Sequence, residues 1–227
     1  MNHVRKFLKE PSKVRKILKE YIKPITPFGI SGVGGILLSK NIKSFLEKIK
    51  IKGDILDIGG QRKQYKKYFS EGKYFSLDLD KRWNPEICCD AHDIECENNK
   101  FELVIASEVL EHCYNPQKVV NEIYRVLKSE GICLVSIPFI HCYHIAPGVK
   151  DYCRLSEDGL RYLFRKFSNV EVKSYGNRFQ IIWSMINTGL VFNFFLNIFN
   201  FPISRINIKE GSDYPFGYIL IARKQKK

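Results

Sequence analysis

The stretch Asp54-Ile55-Leu56-Asp57-Ile58-Gly59-Gly60-Gln61 decides the fold of this chain. Its isoleucines and leucine form a short apolar run, typical of a buried strand, that ends in Asp57 and two glycines. Glycine is needed where the backbone bends sharply and must let a ligand approach. Residues 62–69 are charged and aromatic at a spacing that predicts a helix. The stretch therefore predicts a strand, a tight turn and a helix.

A second apolar strand, Tyr74-Phe75-Ser76-Leu77, follows further along the chain and ends at Asp78. An acidic residue at the tip of the second strand can accept hydrogen bonds from the two hydroxyls of a ribose. Asp80 is the other acid nearby, and we interpret it as a residue of the surface loop. The two strands and their turn therefore predict a site for a cofactor that contains adenosine.

The rest of the chain alternates strands with helices. Further strands are predicted at residues 87–89, 101–106, 132–137, 170–174 and 218–222, and helices at residues 36–49, 116–128 and 156–167. This alternation favours an α/β fold, a three-layer sandwich around a mostly parallel, seven-stranded sheet.

Most of the positive charge lies in the first 52 residues. They contain thirteen Lys or Arg and three acidic residues, which accounts for +10 of the formal net charge of +13. We therefore divide the chain into a basic helical extension with a glycine-rich connector, residues 1–35, and a nearly neutral domain, residues 36–227. A basic extension attracts anionic lipid, nucleic acid or an acidic partner. A solvated helix face explains the same charges equally well.

The seven cysteines form no CxxC pair and no zinc-ligand spacing. We therefore predict reduced thiols and no metal site. Charges interrupt the apolar residues near the N-terminus every two or three positions, unlike a secretory signal. Both features favour a cytoplasmic protein.

Residues 181–203 contain no charged side chain. Their length suits a membrane span, but Asn193, Asn197 and Asn200 fall on one helical stripe opposite apolar residues. An amphipathic insertion is the better interpretation. We expect it to lie in a membrane interface, to pair with a second copy of the chain, or to cover the substrate pocket. With the basic amphipathic residues 1–23, it leaves peripheral attachment to an anionic membrane and homo-oligomerisation open.

Five motifs occur in the order and spacing of class I S-adenosylmethionine-dependent methyltransferases. They are residues 56–60, 77–78, 90–92, 107–112 and 125–131. Over residues 50–140 the chain resembles the type-11 branch of this family. The resemblance implies a Rossmann-like methyltransferase fold, S-adenosylmethionine as cofactor, and an enzyme of class EC 2.1.1.-.

The resemblance also implies ten cofactor-binding residues. Those expected around the methionine part and the ribose are Asp57, Gly59, Gly60 and Asp78. Those expected around the adenine are Leu79, Asp90, Ala91 and His92, and those beside the sulfonium are Ser107 and Glu108. For His92 a purely structural role is an equal alternative. The family usually has a further glycine where this chain has Gln61, so Gly59 and Gly60 alone must accommodate the methionine.

A further run resembles members found among genes for surface polysaccharides and other glycan modification. It comprises Ile137-Pro138-Phe139, His144, Pro147, Asp151-Tyr152 and Arg154. This similarity implies a sugar, glycan or glycolipid precursor as the acceptor.

A hydroxyl acceptor needs a base, and the candidates follow the fifth strand, where loops converge at the carboxyl edge of an open sheet. We predict His144 as the base, because the ordinary pKa of histidine suits the task. Asp151 would orient it or replace it. The substrate contacts are predicted at His141, Tyr152 and Arg154. In the alternative, His144, Asp151 and Arg154 only brace the loop.

Other functions compete with this one. A nicotinamide oxidoreductase requires G-x-G-x-x-G after the first strand, which residues 59–63 lack. Nitrogen-directed family members generally carry an Asn/Asp-Pro-Pro-Tyr type of sequence, which residues 107–110 do not match. The basic extension allows an RNA-directed enzyme, although aromatic residues are not interleaved with its lysines. Another small-molecule acceptor, or a non-catalytic membrane scaffold that has lost its cofactor, also stays open. We predict O-methylation.

Overall fold

A computed structural model describes residues 33–143, 149–185, 202–206 and 213–226. Its strands are β1 (Ile55–Ile58), β2 (Tyr74–Leu77), β3 (Phe101–Ser107), β4 (Leu127–Pro138), β5 (Ser168–Tyr175) and β6 (Gly217–Arg223). They form one sheet in the order β2-β1-β3-β4-β6-β5. The first four strands are mutually parallel, and β6 runs antiparallel between β4 and β5. The predicted α/β fold with a mostly parallel sheet is confirmed.

Helices cover both faces of the sheet. They are α1 (Val33–Leu46), α2 (Pro116–Val126), α3 (Glu157–Leu163) and α4 (Arg178–Met185). One apolar core joins α2 and α3 to the sheet, and a second core joins α1 and α4 to the opposite face. Because both faces are covered, the central strand β3 is apolar at almost every position, as expected for a parallel strand inside three layers.

The strand order places the site. β1 lies between β2 and β3, with Ile58 opposite Leu77 on one side and Ala106 on the other. β2, the next strand in the chain, therefore lies on one side of β1, and β3 lies on its other side. The loops that leave the carboxyl ends of these strands diverge, and the crevice between them is where open α/β sheets bind ligands.

The helix predicted over residues 62–69 is wrong. The chain forms a turn and then a single 3₁₀ turn, Lys66–Tyr68. Lys63 has φ of +47°, a left-handed conformation that cannot continue inside a right-handed helix. The Lys63 amide donates to the Gly60 carbonyl at 3.0 Å, so the glycine turn itself sets this conformation.

The sheet has six strands in the described residues, one fewer than the seven predicted. Of the strand predicted at 87–89, Ile87 forms an isolated bridge with Leu77. The Glu86 carboxylate accepts hydrogen bonds from the amide and the hydroxyl of Ser76, at 2.9 and 2.7 Å. Burial would raise the pKa of Glu86, but the hydrogen bonds from Lys63 and Ser76 lower it to about 2. The outer edge of β2 is therefore paired by the backbone of Ile87 and by the Glu86 side chain, where a longer ladder was expected.

The other predicted elements differ from the observed ones only at their ends. α1 begins at Val33, within the predicted glycine-rich connector. The Ser156 hydroxyl caps α3, accepting a hydrogen bond from the Gly159 amide at 3.2 Å, as the sequence predicts. That helix ends at Leu163, before its predicted end.

Residues 1–32 and 186–201 lie outside the described residues. They contain most of the predicted basic extension and most of the predicted uncharged insertion, so both remain predictions. Within the ranges that the structure describes, no helix is long and apolar enough to cross a membrane.

Candidate cofactor and acceptor site

The turn after β1 requires both of its glycines. Gly59 has φ of +71°, and a Cβ atom there would lie 2.9 Å from Val109 Cγ2. A Cβ atom on Gly60 would lie 2.5 Å from Asp57 Oδ2 and 2.8 Å from the Asp57 carbonyl oxygen. Gln61, where the family usually has another glycine, is exposed. The turn thus leaves backbone, and no side chain, facing the crevice at Gly59.

Asp57 is a buried carboxyl group, 2% exposed. Burial raises its pKa to about 7, although a hydrogen bond donated by the Tyr74 hydroxyl opposes the shift. Burial and the charge of Asp57 together raise the pKa of Tyr74 above its usual range. Tyr65, also buried, is hydrogen-bonded to Ser107. Hydrogen bonds thus link the buried side chains on both sides of the glycine turn to the neighbouring strands β2 and β3.

Asp78 lies at the carboxyl end of β2, as predicted, and Asp80 lies beyond it in the loop. The Asp78 carboxylate accepts a hydrogen bond from the Asp80 amide at 2.8 Å, which fixes its orientation. Asp80 pairs with the guanidinium of Arg82 at 2.6 Å. Leu79 is 69% exposed. Asp78 is therefore the buried acid of this loop, with an uncovered apolar residue beside it.

The predicted adenine residues form a rigid turn. The Asp90 carboxylate accepts from the backbone amide of His92 at 2.9 Å and contacts its ring Nδ1 at 2.6 Å. The other ring nitrogen of His92 accepts from the Asn115 amide at 3.3 Å. Tyr114 stacks on the buried His92 ring, with centroids 4.0 Å apart. Both ring nitrogens of His92 are thus engaged by protein, which favours the structural alternative for its side chain.

Hydroxyl groups link the ends of β3 and β4. Ser107 and Ser136 share a hydrogen bond of 2.9 Å, and the Ser136 hydroxyl donates to Glu108 Oε1 at 2.9 Å. Glu108 has φ of +55°, which turns its carboxyl group back toward Ser136. Burial raises the pKa of Glu108 to about 7, although Ser136 and the charge of Arg154 oppose the shift.

Glu111 lies one turn further on and is fully buried. Neither of its carboxyl oxygens has a hydrogen-bond partner in the part of the chain that the structure describes. Burial and the neighbouring charge of Glu108 raise the pKa of Glu111 well above its usual range. Sequence reasoning assigned this residue no role, because its burial depends on the packing of the loop after β4.

The predicted acceptor residues lie on that loop. Asp151 and Arg154 form a bidentate ion pair, in which Arg154 Nη2 lies 2.6 Å from Asp151 Oδ2. The Asp151 side chain is 2% exposed. Tyr152 is half exposed, and its amide donates to the Glu111 carbonyl at 2.7 Å. This arrangement favours the bracing interpretation for Asp151 and Arg154. His144 lies outside the described residues, and its predicted role as a base stays a prediction.

A pocket opens beside Glu108. It is small and partly open to solvent, and it is lined by Gly34, Gly35, Leu38, Glu108, His141, Tyr175 and Phe216. His141, one of the predicted substrate residues, therefore faces the same space as Glu108. Sequence reasoning missed the contributions of Tyr175 and of the first turn of α1. For Tyr175 the sequence does give a sign, a tyrosine at the end of β5. The first turn of α1 has no such sign in the local sequence.

Comparison with known proteins agrees with this geometry. The family model described as "Methyltransferase domain", type 11, matches residues 58–135, about a third of the chain. That range runs from Ile58, the last residue of β1, to Val135 in β4, and it includes Asp78, Asp90 and Glu108. No curated protein sequence matches the chain.

Solved structures share the fold. Phosphoethanolamine N-methyltransferase 2 of Haemonchus contortus, in complex with phosphomonomethylethanolamine and S-adenosylhomocysteine, superposes with a TM-score of 0.57 at 16% identity. The alignment covers 96% of this chain and 58% of that one, so the chain spans little more than half the length of that enzyme. A SAM-dependent methyltransferase from Archaeoglobus fulgidus gives 0.56 at 15% identity, covering 82% and 93%. The [4+2]-cyclase SpnF gives 0.55 at 16%, covering 83% and 82%. Identities this low establish the fold alone.

The matched region and the fold point to the same class of protein. Residues 58–135 match the model of a methyltransferase domain, and the sheet has the fold of solved S-adenosylmethionine-dependent methyltransferases. The side chains are compatible with that cofactor: a Cβ atom would fill the space above the glycine turn, and the buried Asp78 carboxylate directly follows β2, the place where this kind of fold binds a ribose.

Proposed function

We propose that this protein transfers a methyl group from S-adenosylmethionine to a hydroxyl group of a sugar or of a glycan or glycolipid precursor. The observation that carries the proposal is the small pocket beside Glu108, which His141 and Tyr175 also line. Carboxylate, imidazole and phenol groups can accept or exchange hydrogen bonds with several hydroxyls of one acceptor. The chemistry of these groups suits a polyhydroxylated acceptor.

The cofactor supplies an activated methyl group, and the protein supplies alignment and proton transfer. We propose that the turn of Gly59 and Gly60, with Asp78, holds the cofactor. An acceptor hydroxyl in the pocket must lose its proton as it attacks, so a basic side chain is needed there. His144 is the proposed base, with Asp151 as its support or replacement, and His141, Tyr152 and Arg154 contact the acceptor.

We also propose a peripheral membrane location, or self-association, for an enzyme that acts on a lipid-linked acceptor. The second half of α4 overlaps the start of the predicted uncharged insertion, and the apolar side chains Phe179, Ile182 and Met185 of this helix are 42%, 51% and 61% exposed. The basic residues 1–23 would add attraction to anionic lipid. Replacement of Ile182 by Glu should reduce flotation with anionic vesicles or shift the sedimentation coefficient, and an unchanged result in both assays would exclude this part.

The function can be tested with methyl-labelled S-adenosylmethionine and three acceptor panels: nucleotide sugars with lipid-linked glycans, small amines including phosphoethanolamine, and total RNA. We expect label in the first panel only, in a product whose methyl ether survives hydrolysis. The Asp78→Ala variant should give no label. Label in the amine or RNA panel would replace the hydroxyl acceptor. Absence of cofactor binding by the wild type would instead favour the non-catalytic scaffold.

A further inference from the structure

Tyr175, the last residue of β5, is buried, and its hydroxyl group has no partner. The residue is 8% exposed, and within the described residues its hydroxyl forms no hydrogen bond. A buried tyrosine usually finds a partner for its hydroxyl, because an unpaired polar atom costs free energy. Tyr175 lines the small pocket beside Glu108, and its hydroxyl oxygen is accessible there. The unpaired donor therefore indicates a ligand atom that completes the hydrogen bond.

Gly217 on β6 leaves room for this side chain. Tyr175 and Gly217 are partners in the antiparallel ladder between β5 and β6, and Gly217 is in turn the partner of Pro138 on β4. A Cβ atom on Gly217 would lie 2.7 Å from the Tyr175 hydroxyl oxygen and 3.0 Å from its Cζ. The ring therefore extends from β5 across β6 toward β4. Only glycine at position 217 allows the hydroxyl to reach this place.

Phe216 forms a rigid wall of the same pocket. Its amide donates to the Tyr175 carbonyl at 2.8 Å, and its carbonyl accepts from the Phe139 amide at 2.7 Å. Its ring is packed so closely that a Cβ atom on Gly34 would lie 3.3 Å from it, and one on Gly176 would lie 2.5 Å from it. The backbone bonds and the packing hold Tyr175 in place before a ligand arrives, which lowers the entropic cost of binding.

The Tyr175 hydroxyl is a hydrogen-bond donor to an uncharged atom. Burial, with the charges of Glu108 and Glu111, raises the pKa of Tyr175 well above its usual range, so the phenol keeps its proton. An anionic group beside the hydroxyl would face these same carboxyls, which would either repel it or have to remain protonated. Arg154, the guanidinium that acts on both carboxyls, is held in a bidentate pair by Asp151. A neutral oxygen with a free lone pair is therefore the best partner.

We propose that Tyr175 determines acceptor specificity by donating a hydrogen bond to an uncharged oxygen of the sugar, next to the hydroxyl that is methylated. This inference rests on the proposed transfer to a sugar hydroxyl and names the residue that recognises the acceptor. The pocket is small, so it admits a single hydroxyl or ether oxygen while the rest of the acceptor lies outside it. A sugar that lacks this oxygen leaves the buried donor unpaired and binds more weakly.

Saturation-transfer NMR on the full chain, saturated with S-adenosylhomocysteine, tests the proposal. The probes are the methyl glycosides of glucose, mannose and galactose, with the monodeoxy derivatives of each. Wild type should bind at least one parent glycoside. Tyr175→Phe, which removes only the hydroxyl, should raise the Kd for that glycoside about three- to tenfold, the range for one neutral hydrogen bond. One of its monodeoxy derivatives should bind both proteins within about twofold of each other, because it lacks the oxygen that Tyr175 contacts.

Two controls separate recognition from folding. The affinity of Tyr175→Phe for S-adenosylhomocysteine, measured by calorimetry, should stay within about twofold of wild type, which also shows that the variant is folded. Phenylalanine keeps the ring that packs over Gly217, and the lost hydroxyl had no partner in the described residues. Tyr162→Phe is the matched control, because it removes the hydroxyl of a tyrosine on α3 that is 69% exposed. It should bind every probe as wild type does.

The outcomes distinguish this inference from the proposed function. Equal Kd values for wild type and Tyr175→Phe with every glycoside, or no glycoside bound by a wild type that binds S-adenosylhomocysteine, would overturn the role of Tyr175 and leave cofactor use intact. Inorganic phosphate that displaces the glycoside from wild type, and binds Tyr175→Phe more weakly, would assign the hydroxyl to an anionic group and also overturn it. Failure to bind S-adenosylhomocysteine, or methyl label in the amine or RNA panel, would overturn the proposed function itself.

Discussion

Gly60 lies so close to Asp57 that a Cβ atom at position 60 would be 2.5 Å from the Asp57 Oδ2 atom. The same atom would be 2.8 Å from the Asp57 carbonyl oxygen, and backbone cannot move aside as the end of a flexible side chain can. Asp57 in β1 and Gly60, the second glycine of the turn, therefore fit closely against each other. This contact couples the stability of β1 to the shape of the cofactor cradle.

The first prediction follows from that contact. Gly60→Ala should lower the free energy of unfolding by about 1–3 kcal/mol, the usual cost of overpacking a buried site. It should also weaken binding of S-adenosylhomocysteine by at least tenfold, because the displaced turn no longer fits the ligand. Urea denaturation and calorimetry measure the two effects. Gly159→Ala is the control: its Cβ would meet Ser156 Oγ at 3.5 Å, an ordinary contact, and should leave binding unchanged.

The second prediction concerns the two acids after β2. Asp78→Ala should weaken binding of S-adenosylhomocysteine by about 1.5–3 kcal/mol, the range for hydrogen bonds to a charged group. Asp80→Ala, which removes the exposed ion pair with Arg82 and the hydrogen bond from the Arg82 backbone amide, should change it little. The same calorimetric titration measures both variants. Equal losses in the two variants would mean that the loop as a whole, and not the Asp78 carboxylate, holds the ligand.

The sequence predicts the sheet and the position of the cofactor turn well, because apolar runs and glycines report directly on burial and backbone conformation. It misses the end of the turn, since the left-handed conformation of Lys63 arises from the hydrogen bond to Gly60 and not from its own preference. It overpredicts the strand at residues 87–89, because only Ile87 of that run pairs with the edge of β2 and the Glu86 side chain takes the Ser76 amide. These are tertiary effects that a local pattern does not carry.

The site shows the same division. Asp78 is recognisable because its place after a strand is a local feature. Glu111 and Tyr175 are not, because only the folded chain buries them beside charged residues that are distant in the sequence. Tyr74 similarly looks like the start of an ordinary strand, yet its hydroxyl contacts Asp57 across the sheet.

The third prediction is a dependence of stability on pH that originates at Asp57. Its pKa is about 7 in the folded protein and near its ordinary value when unfolded. The folded state thus binds the proton more tightly, so ionisation destabilises the fold progressively as pH rises from about 4 to 7. Asp57→Asn should remove this penalty and be more stable than wild type at pH 8 by at least about 1.4 kcal/mol, the equivalent of one pKa unit.

Urea denaturation at pH 5 and pH 8 measures the effect. The difference between Asp57→Asn and wild type should shrink at pH 5, where the wild-type carboxyl is protonated in the fold. Glu171→Gln, an exposed carboxylate, should show no such change between the two values. A constant difference at both pH values would show that packing, not ionisation, causes any gain.

The fourth prediction decides between the two roles of Asp151 and Arg154. If their ion pair braces the loop after β4, Asp151→Asn and Arg154→Gln should each destabilise the protein, and the double variant should be no worse than the worse single variant, because each single change strands the partner charge. The coupling energy should reach about 1–3 kcal/mol for this partly buried, bidentate pair.

If Arg154 instead binds the acceptor, Arg154→Gln should leave the unfolding free energy within about 0.5 kcal/mol of wild type, as surface substitutions do. It should then raise the KM for the acceptor with little change in cofactor affinity.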